Sequence, residues 1–348
     1  MKLFKSLLVA PATLGLLAPL SATANEVTIN DFNPAEELAV TNSRVDGLEA
    51  RLNNFEAGSF SETTSASFGS NFYIGAVESS ATGEAVTFSY DFSMDLSTSF
   101  TGEDSLDVAV IGGNAGTTAV DGYMDGENTS DALMLDGISY TFPLGGATII
   151  VGDGVGVDDM NTGACAYSAF TDLLSDCGTS NVGGSADSGF AIGYDFGNGF
   201  TIAGGAAGGD STSGYFTEED ASTIGLEVAY TSDTYGLSIA YTDDEADTYY
   251  SFQGMLTPEG FPSISVGYET DDDDADAIFA GLTFDEVGAG SVSIGIASTA
   301  LSSDDYYQYE LSYSYPINDG MTITPGVFIA ESAGEDETGF VVTTSFSF

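Results

Sequence analysis

The sequence predicts an all-β chain: a transmembrane antiparallel β-barrel of about 16 strands, preceded by a short N-terminal coiled-coil helix. Three observations carry this: residue alternation over most of the chain, a parity in the lengths of the connections, and the composition of the last strand. In the stretch from 86 to 97, Val86, Phe88, Tyr90, Phe92, Met94 and Leu96 alternate with Thr87, Ser89, Asp91, Ser93, Asp95 and Ser97. Successive strand side chains point to opposite faces, so one face is apolar and the other carries hydroxyls and carboxylates. The same pattern returns in STIGLEVAYT, TYGLSIAYT, SVSIGIAS and GFVVTTSFSF.

The elements follow in chain order. Residues 1–24 read as a secretory leader: Lys2 and Lys5 precede the apolar LLVAPATLGLLAPL, and Ala22-Thr23-Ala24 is a small-residue cleavage site. Residues 25–58 hold a helix of about 24 residues, roughly 36 Å long. Asn33 caps it, Pro34 suits its first position, Glu36 completes a capping box and Gly58 stops it. Leu38, Thr41, Val45, Leu48, Leu52 and Phe55 recur at coiled-coil spacing, which places Arg44 and Arg51 at g and Glu49 and Glu56 at e. Each Arg precedes a Glu by five residues, the spacing that pairs neighbouring parallel chains. A linker, 59–66, leads to the barrel at 67–348.

Sixteen alternating segments are predicted near 67–77, 85–99, 105–112, 132–142, 147–153, 188–196, 200–207, 222–231, 235–242, 248–254, 263–269, 276–284, 291–298, 307–315, 321–329 and 339–348. Pro325 interrupts the fifteenth. Even-to-odd connections are mostly short, such as PLGG, GNG and PINDG. Odd-to-even ones hold nearly all the long and acidic loops, including 113–131, 154–187 and 208–221. A membrane barrel shows that asymmetry, with short periplasmic turns and longer outer loops.

Alternation alone does not separate such a barrel from a soluble secreted or surface-layer β-sandwich, whose apolar faces meet each other. The last strand favours the barrel: Phe340, Val342, Phe346 and the terminal Phe348 share one face, and Phe348 is read as the barrel-assembly signal. Tyr140, Tyr194, Tyr230, Tyr241, Tyr268 and Tyr315 lie near segment ends, where girdle aromatics belong.

Charge narrows function. The whole chain has 54 acidic residues and four basic ones, and only Arg44 and Arg51 remain once the leader is gone, a formal charge of 2 − 54 = −52. Beyond Arg51 there is no Lys, Arg or His. Nucleic acid is therefore not expected as a partner. The absence of His excludes a Ser-His-Asp triad and His-ligated metals, and no enzymatic activity is expected. GDGVGVDD at 152–159 lacks the Lys and following helix of a phosphate loop. Cys165 and Cys177 are expected to form a disulfide in an exported protein, with two free thiols as the alternative.

The leader, then VDGLEARLNNFEAGSFSETT, then SYTFPLGG followed by GDGVGVDDM, resemble the major outer-membrane porins of cyanobacteria, within the carbohydrate-selective porin superfamily. The resemblance implies a trimeric sixteen-stranded barrel in outer-membrane lipid that passes small solutes. Such a barrel depends on the barrel-assembly machinery. Two departures stand out. Only about ten residues occupy the place of the usual S-layer-homology domain, and no basic residue is present to line a constriction.

With the apolar set facing lipid, the interior receives Asp91, Asp95, Asp107, Asp195, Glu227, Glu269 and Glu310. The 154–187 loop, stapled by Cys165 and Cys177, is expected to fold inward as the constriction, bringing Asp158, Asp159, Asp172 and Asp176. Carboxylates without nearby cations favour a passive, cation-preferring channel. No cofactor is expected. The outer acidic runs Asp271 to Asp274 and Glu335 to Glu337 solvate the surface and can gather divalent cations loosely.

Overall fold

A computed structural model describes residues 63–348 apart from 79–84, 117, 125, 180–181, 183–187, 210–215, 218–221, 273–274, 299–305 and 332–335. The leader and the coiled-coil positions from Leu38 to Glu56 lie outside the described residues. The strands are β1 (Thr64–Glu78), β2 (Thr87–Thr98), β3 (Ser105–Gly113), β4 (Met134–Leu144), β5 (Ala147–Asp153), β6 (Ser188–Asp195), β7 (Phe200–Gly208) and β8 (Ser222–Thr231). They continue as β9 (Tyr235–Asp243), β10 (Thr248–Leu256), β11 (Ser263–Thr270), β12 (Asp276–Val287), β13 (Gly290–Ser298), β14 (Tyr307–Asn318), β15 (Met321–Ala330) and β16 (Glu337–Ser347).

Each strand pairs with its sequence neighbours, and β1 pairs antiparallel with β16, so the sheet closes on itself. Closure removes every sheet edge. The seam extends to the last residue: Phe348 exchanges both backbone hydrogen bonds with Phe68 (2.8 and 3.1 Å), and their rings stack at 5.5 Å.

The two faces separate as the alternation requires. On β8 and β9, Leu226, Val228 and Ile239 point outward and are 56, 54 and 63% exposed. Outward residues of the same kind recur around the wall, among them Ile192, Ile278, Ile294, Leu311 and Phe340. Water does not tolerate so continuous an apolar surface, whereas acyl chains do. The sandwich alternative fails here, because a single closed sheet has no second layer to cover this face. Among the described residues no helix is long and apolar enough to cross a membrane. Ring pairs border the apolar band: Tyr140 with Phe142 (5.5 Å) and Tyr194 with Phe196 (4.9 Å) at the short-turn end, Tyr241 with Tyr250 (5.4 Å) at the long-loop end.

Pro325 is tolerated because its missing N–H falls where the ladder is broken. The β15 residue pairs with Val342 of β16, but the β14 ladder passes from Ser312–Gly326 to Tyr315–Ile323 with no bonded pair between them.

The β2–β3 turn is pinned by one carboxylate. Asp104 accepts Phe100 N–H (2.9 Å), Thr101 N–H (2.7 Å), the Ser99 and Thr101 hydroxyls (2.9 and 2.8 Å) and Tyr140 OH (2.6 Å). The Tyr140 hydroxyl and the Thr101 amide hold its carboxyl well below the usual carboxylate range. A depressed folded value stabilises the turn above the unfolded pKa of about 3.9, and that contribution disappears only as pH falls through the lower folded value. Amide exchange at Phe100 and Thr101 should therefore stay protected down to about pH 4. In Asp104→Asn it should be fast at every pH, and wild-type-like protection in that variant would disprove the assignment.

Candidate functional site in the barrel interior

The described part of the connection after β5, residues 154–179 and 182, runs inside the barrel. Its path is set by inward glycines that let backbone and rings lie against the wall. Val157 packs on Gly205 and Gly225, Tyr167 on Gly281 and Gly295, and the Phe170 ring on Gly326. At Gly267 a Cβ would overlap the Cys177 carbonyl. The loop thus sweeps from β7 to β15 and returns to β9, where Thr242 Oγ1 donates to the Val182 carbonyl. Cys165 and Cys177 are joined by a disulfide with a Cα–Cα separation of 5.9 Å. Leu174, Cys177, Phe279 and Ala297 form a dry cluster beneath it, and Tyr167 meets Phe279 edge-on at 5.1 Å.

Three carboxylates expected to face open water lie beneath this loop instead. Glu227, Glu269 and Glu310 point inward but are only 4, 0 and 3% exposed. Glu227 accepts Thr162 N–H (2.6 Å) and Gly163 N–H (3.1 Å), and Glu269 accepts Val182 N–H (3.2 Å). Glu310 accepts Tyr167 OH and Phe170 N–H (both 2.8 Å), Thr171 N–H (2.9 Å) and the Thr171 hydroxyl (2.6 Å). The physical reason is the composition. A buried carboxylate must be hydrogen-bonded, and residues 63–348 contain no Lys, Arg or His, so neutral donors do the work. Asp91 is similarly committed, accepting Tyr73 OH (2.6 Å) and the Asn71 side-chain amide (2.9 Å).

The remaining expected acids meet water. Asp95 and Asp195 are exposed and Asp107 is half-buried, all on inward positions of β2, β6 and β3. On the loop, Asp158, Asp159, Asp172 and Asp176 are exposed. Enclosure by the barrel, with Asp176 nearby, raises the Asp158 carboxyl above its ordinary value. Enclosure, with Asp158 adjacent, does the same for Asp159. A cavity of about 330 Å³ lies between loop and wall, lined by Asp158, Asp176, Glu227, Ser238, Ser251 and Gln253 among others.

A second inward segment follows β3. In residues 114–133, which cover nearly all of the 113–131 stretch expected only as an outer loop, Val120 and Met124 pack against Tyr73, Val77, Phe328 and Val341. Asp121 anchors the segment by accepting the Ser89 hydroxyl and Thr118 N–H. Tyr123 OH donates to Glu337 (2.6 Å), and the two segments meet where Asp172 N–H donates to the Tyr123 carbonyl (3.0 Å). The apolar inward positions Val77, Phe328 and Val341 were the available signal, since a wet lumen has no use for them.

The arrangement holds water-facing acids and a narrowed interior. No family model matches the chain, and no curated protein matches it by sequence. Solved structures do match. A loop-deletion mutant of OmpT, an outer membrane protein of Vibrio cholerae, aligns with TM-score 0.60 at 12% identity, over 82% of this chain and 100% of that one. A mutant of the Rh. blastica porin gives 0.61 at 15%, over 82% and 100%. The low-pH structure of Pseudomonas putida OprB gives 0.58 at 10%, over 82% and 93%. Likeness at such low identity speaks to architecture alone, and the architecture is the closed sixteen-strand antiparallel barrel found in outer-membrane porins.

Proposed function

We propose that this chain is an outer-membrane porin that passes small hydrophilic solutes and ions by passive diffusion and prefers cations. The observation that carries it is the interior surface: Asp95, Asp107, Asp195, Asp158 and Asp176 reach water inside a closed barrel whose residues 63–348 include no basic side chain. Rings of acids favour cations, and a sixteen-stranded barrel is wide enough to hold an aqueous channel. The porin neighbours support the channel reading. The resemblance to cyanobacterial porins supports a homotrimer in outer-membrane lipid, delivered by a cleaved leader and the barrel-assembly machinery and registered by the helix in 25–58. The reading needs no enzymatic step and no resident cofactor.

Reconstitution into a planar bilayer under a salt gradient tests it. Stepwise conductance with a cation-selective reversal potential is expected. An anion-selective potential would overturn the preference, and absence of steps would overturn the channel. Replacing Asp95, Asp107, Asp158 and Asp176 together by Asn should move the reversal potential toward zero. So should 1 M salt, where the Debye length shrinks to about 3 Å.

A further inference from the structure

The loop in 154–187 is held against the wall, among the described residues, without an ion pair, because 63–348 contain no Lys, Arg or His. Backbone N–H groups are the donors it offers most, and the wall meets them with buried glutamates on β8, β11 and β14, three strands apart each time. The three are unequal. Glu227 takes two adjacent amides of the loop's first leg, and Glu269 takes the Val182 amide near its end.

Glu310 takes four donors from a five-residue stretch, two on each carboxylate oxygen. A carboxylate offers about four lone-pair sites, so this one is filled. The Thr171 hydroxyl is itself oriented, receiving Gln308 Nε2–H (2.5 Å) while donating to Glu310. Phe170 seats on Gly326 beside it. One residue further on, Asp172 N–H binds the Tyr123 carbonyl of the second inward segment. Tyr123 in turn packs on Phe328 at 4.4 Å and is tied to Glu337. The bend at 170–172 is thus the point where the loop reaches farthest around the wall and where both inward segments are fixed.

We infer that Glu310 is the positioning residue of the constriction: by binding the bend at Phe170–Thr171 it sets how far both inward segments stand off the opposite wall, and so the size of solute admitted. This rests on the channel reading above. Glu310 touches no solute and acts through the loop it holds. Its acceptors are matched to neutral donors, so salt does not displace it. Glu310→Gln keeps the volume but turns one acceptor into an NH₂ donor facing donors, which breaks the match without opening a cavity.

The test runs wild type and Glu310→Gln side by side in planar bilayers and in liposome-swelling assays with neutral sugars of increasing size. Loss of the wild type's single conductance level to flicker among several, with entry of sugars the wild type excludes, is the expected result. A folded variant with an unchanged conductance level and sugar cutoff overturns the inference. Amide exchange at Phe170 and Thr171 reads the latch whether or not the barrel conducts. A wild type without conductance steps sinks the channel reading, whereas slow exchange retained in Glu310→Gln sinks the latch itself. Should Glu310→Gln fail to insert, Thr171→Val removes one donor and the Gln308 link. Milder flicker and faster exchange are expected, and a trace and exchange rates like the wild type's overturn the inference.

Discussion

Replacing Phe328 by alanine should cost the barrel about 3–5 kcal/mol, the range for deleting a fully buried aromatic. Phe328 is 1% exposed, which is unusual for an inward position in a water-filled barrel. Its ring lies over Gly339, its cross-strand partner, where a Cβ would collide with it. Its other face meets Tyr123. The ring therefore joins β15, β16 and the 114–133 segment in one dry cluster with Tyr73, Val77, Val120, Met124 and Val341. Urea unfolding in detergent should show the loss, and proteolysis should reach the 114–133 segment first. A midpoint within experimental error of the wild type would mean that the cluster contributes nothing. Gly339→Ala should give a smaller loss through the same ring.

Removing the disulfide should have the second-largest effect. Cys165 and Cys177 are 12 residues apart, and closing a loop of that size stabilises by about 3 kcal/mol in the chain-entropy model. Cys177 is fully buried beside Leu174 and Phe279, so its replacement also disturbs packing. Cys165→Ser with Cys177→Ser separates the two effects when compared with the wild type under reduction, because reduction alone keeps the sulfur volume. Both should speed amide exchange between residues 165 and 177, the double variant more. Exchange unaffected by either treatment would show that the wall hydrogen bonds suffice.

The barrel was legible because membrane strands carry a period that hydropathy writes directly into sequence. The sixteen segments, the short turns and the long loops all follow from alternation and from glycine and acid clusters. β1 begins at Thr64, slightly before the expected 67, because TSAS shows no apolar alternation although it pairs with β2. The fate of the inward carboxylates was harder to read. Alternation places Glu227, Glu269 and Glu310 on the inner face but does not say whether water or a loop meets them there.

A finer pattern does bear on it. Gly225 and Glu227 on β8, and Gly267 and Glu269 on β11, repeat glycine two residues before glutamate on the inner face, and Gly295 pairs across the ladder with Glu310. Glycine admits the loop backbone and glutamate binds its amides. The inward course of 114–133 was hidden for a different reason. Its apolar residues, Val120 and Met124, are spread among polar ones, and their partners come from both β1 and strands at the other end of the chain.

The amide-held wall has a consequence for the setting in which the molecule is at ease. Dissolved electrolyte competes with ion pairs, and the described residues of this barrel hold none to lose, since 63–348 include no Lys, Arg or His. What electrolyte does affect is mutual repulsion among the chain's 54 acids, which it quiets. Brine is thus a supportive medium for this protein, and dilution into fresh water is the stress its architecture is least equipped to bear.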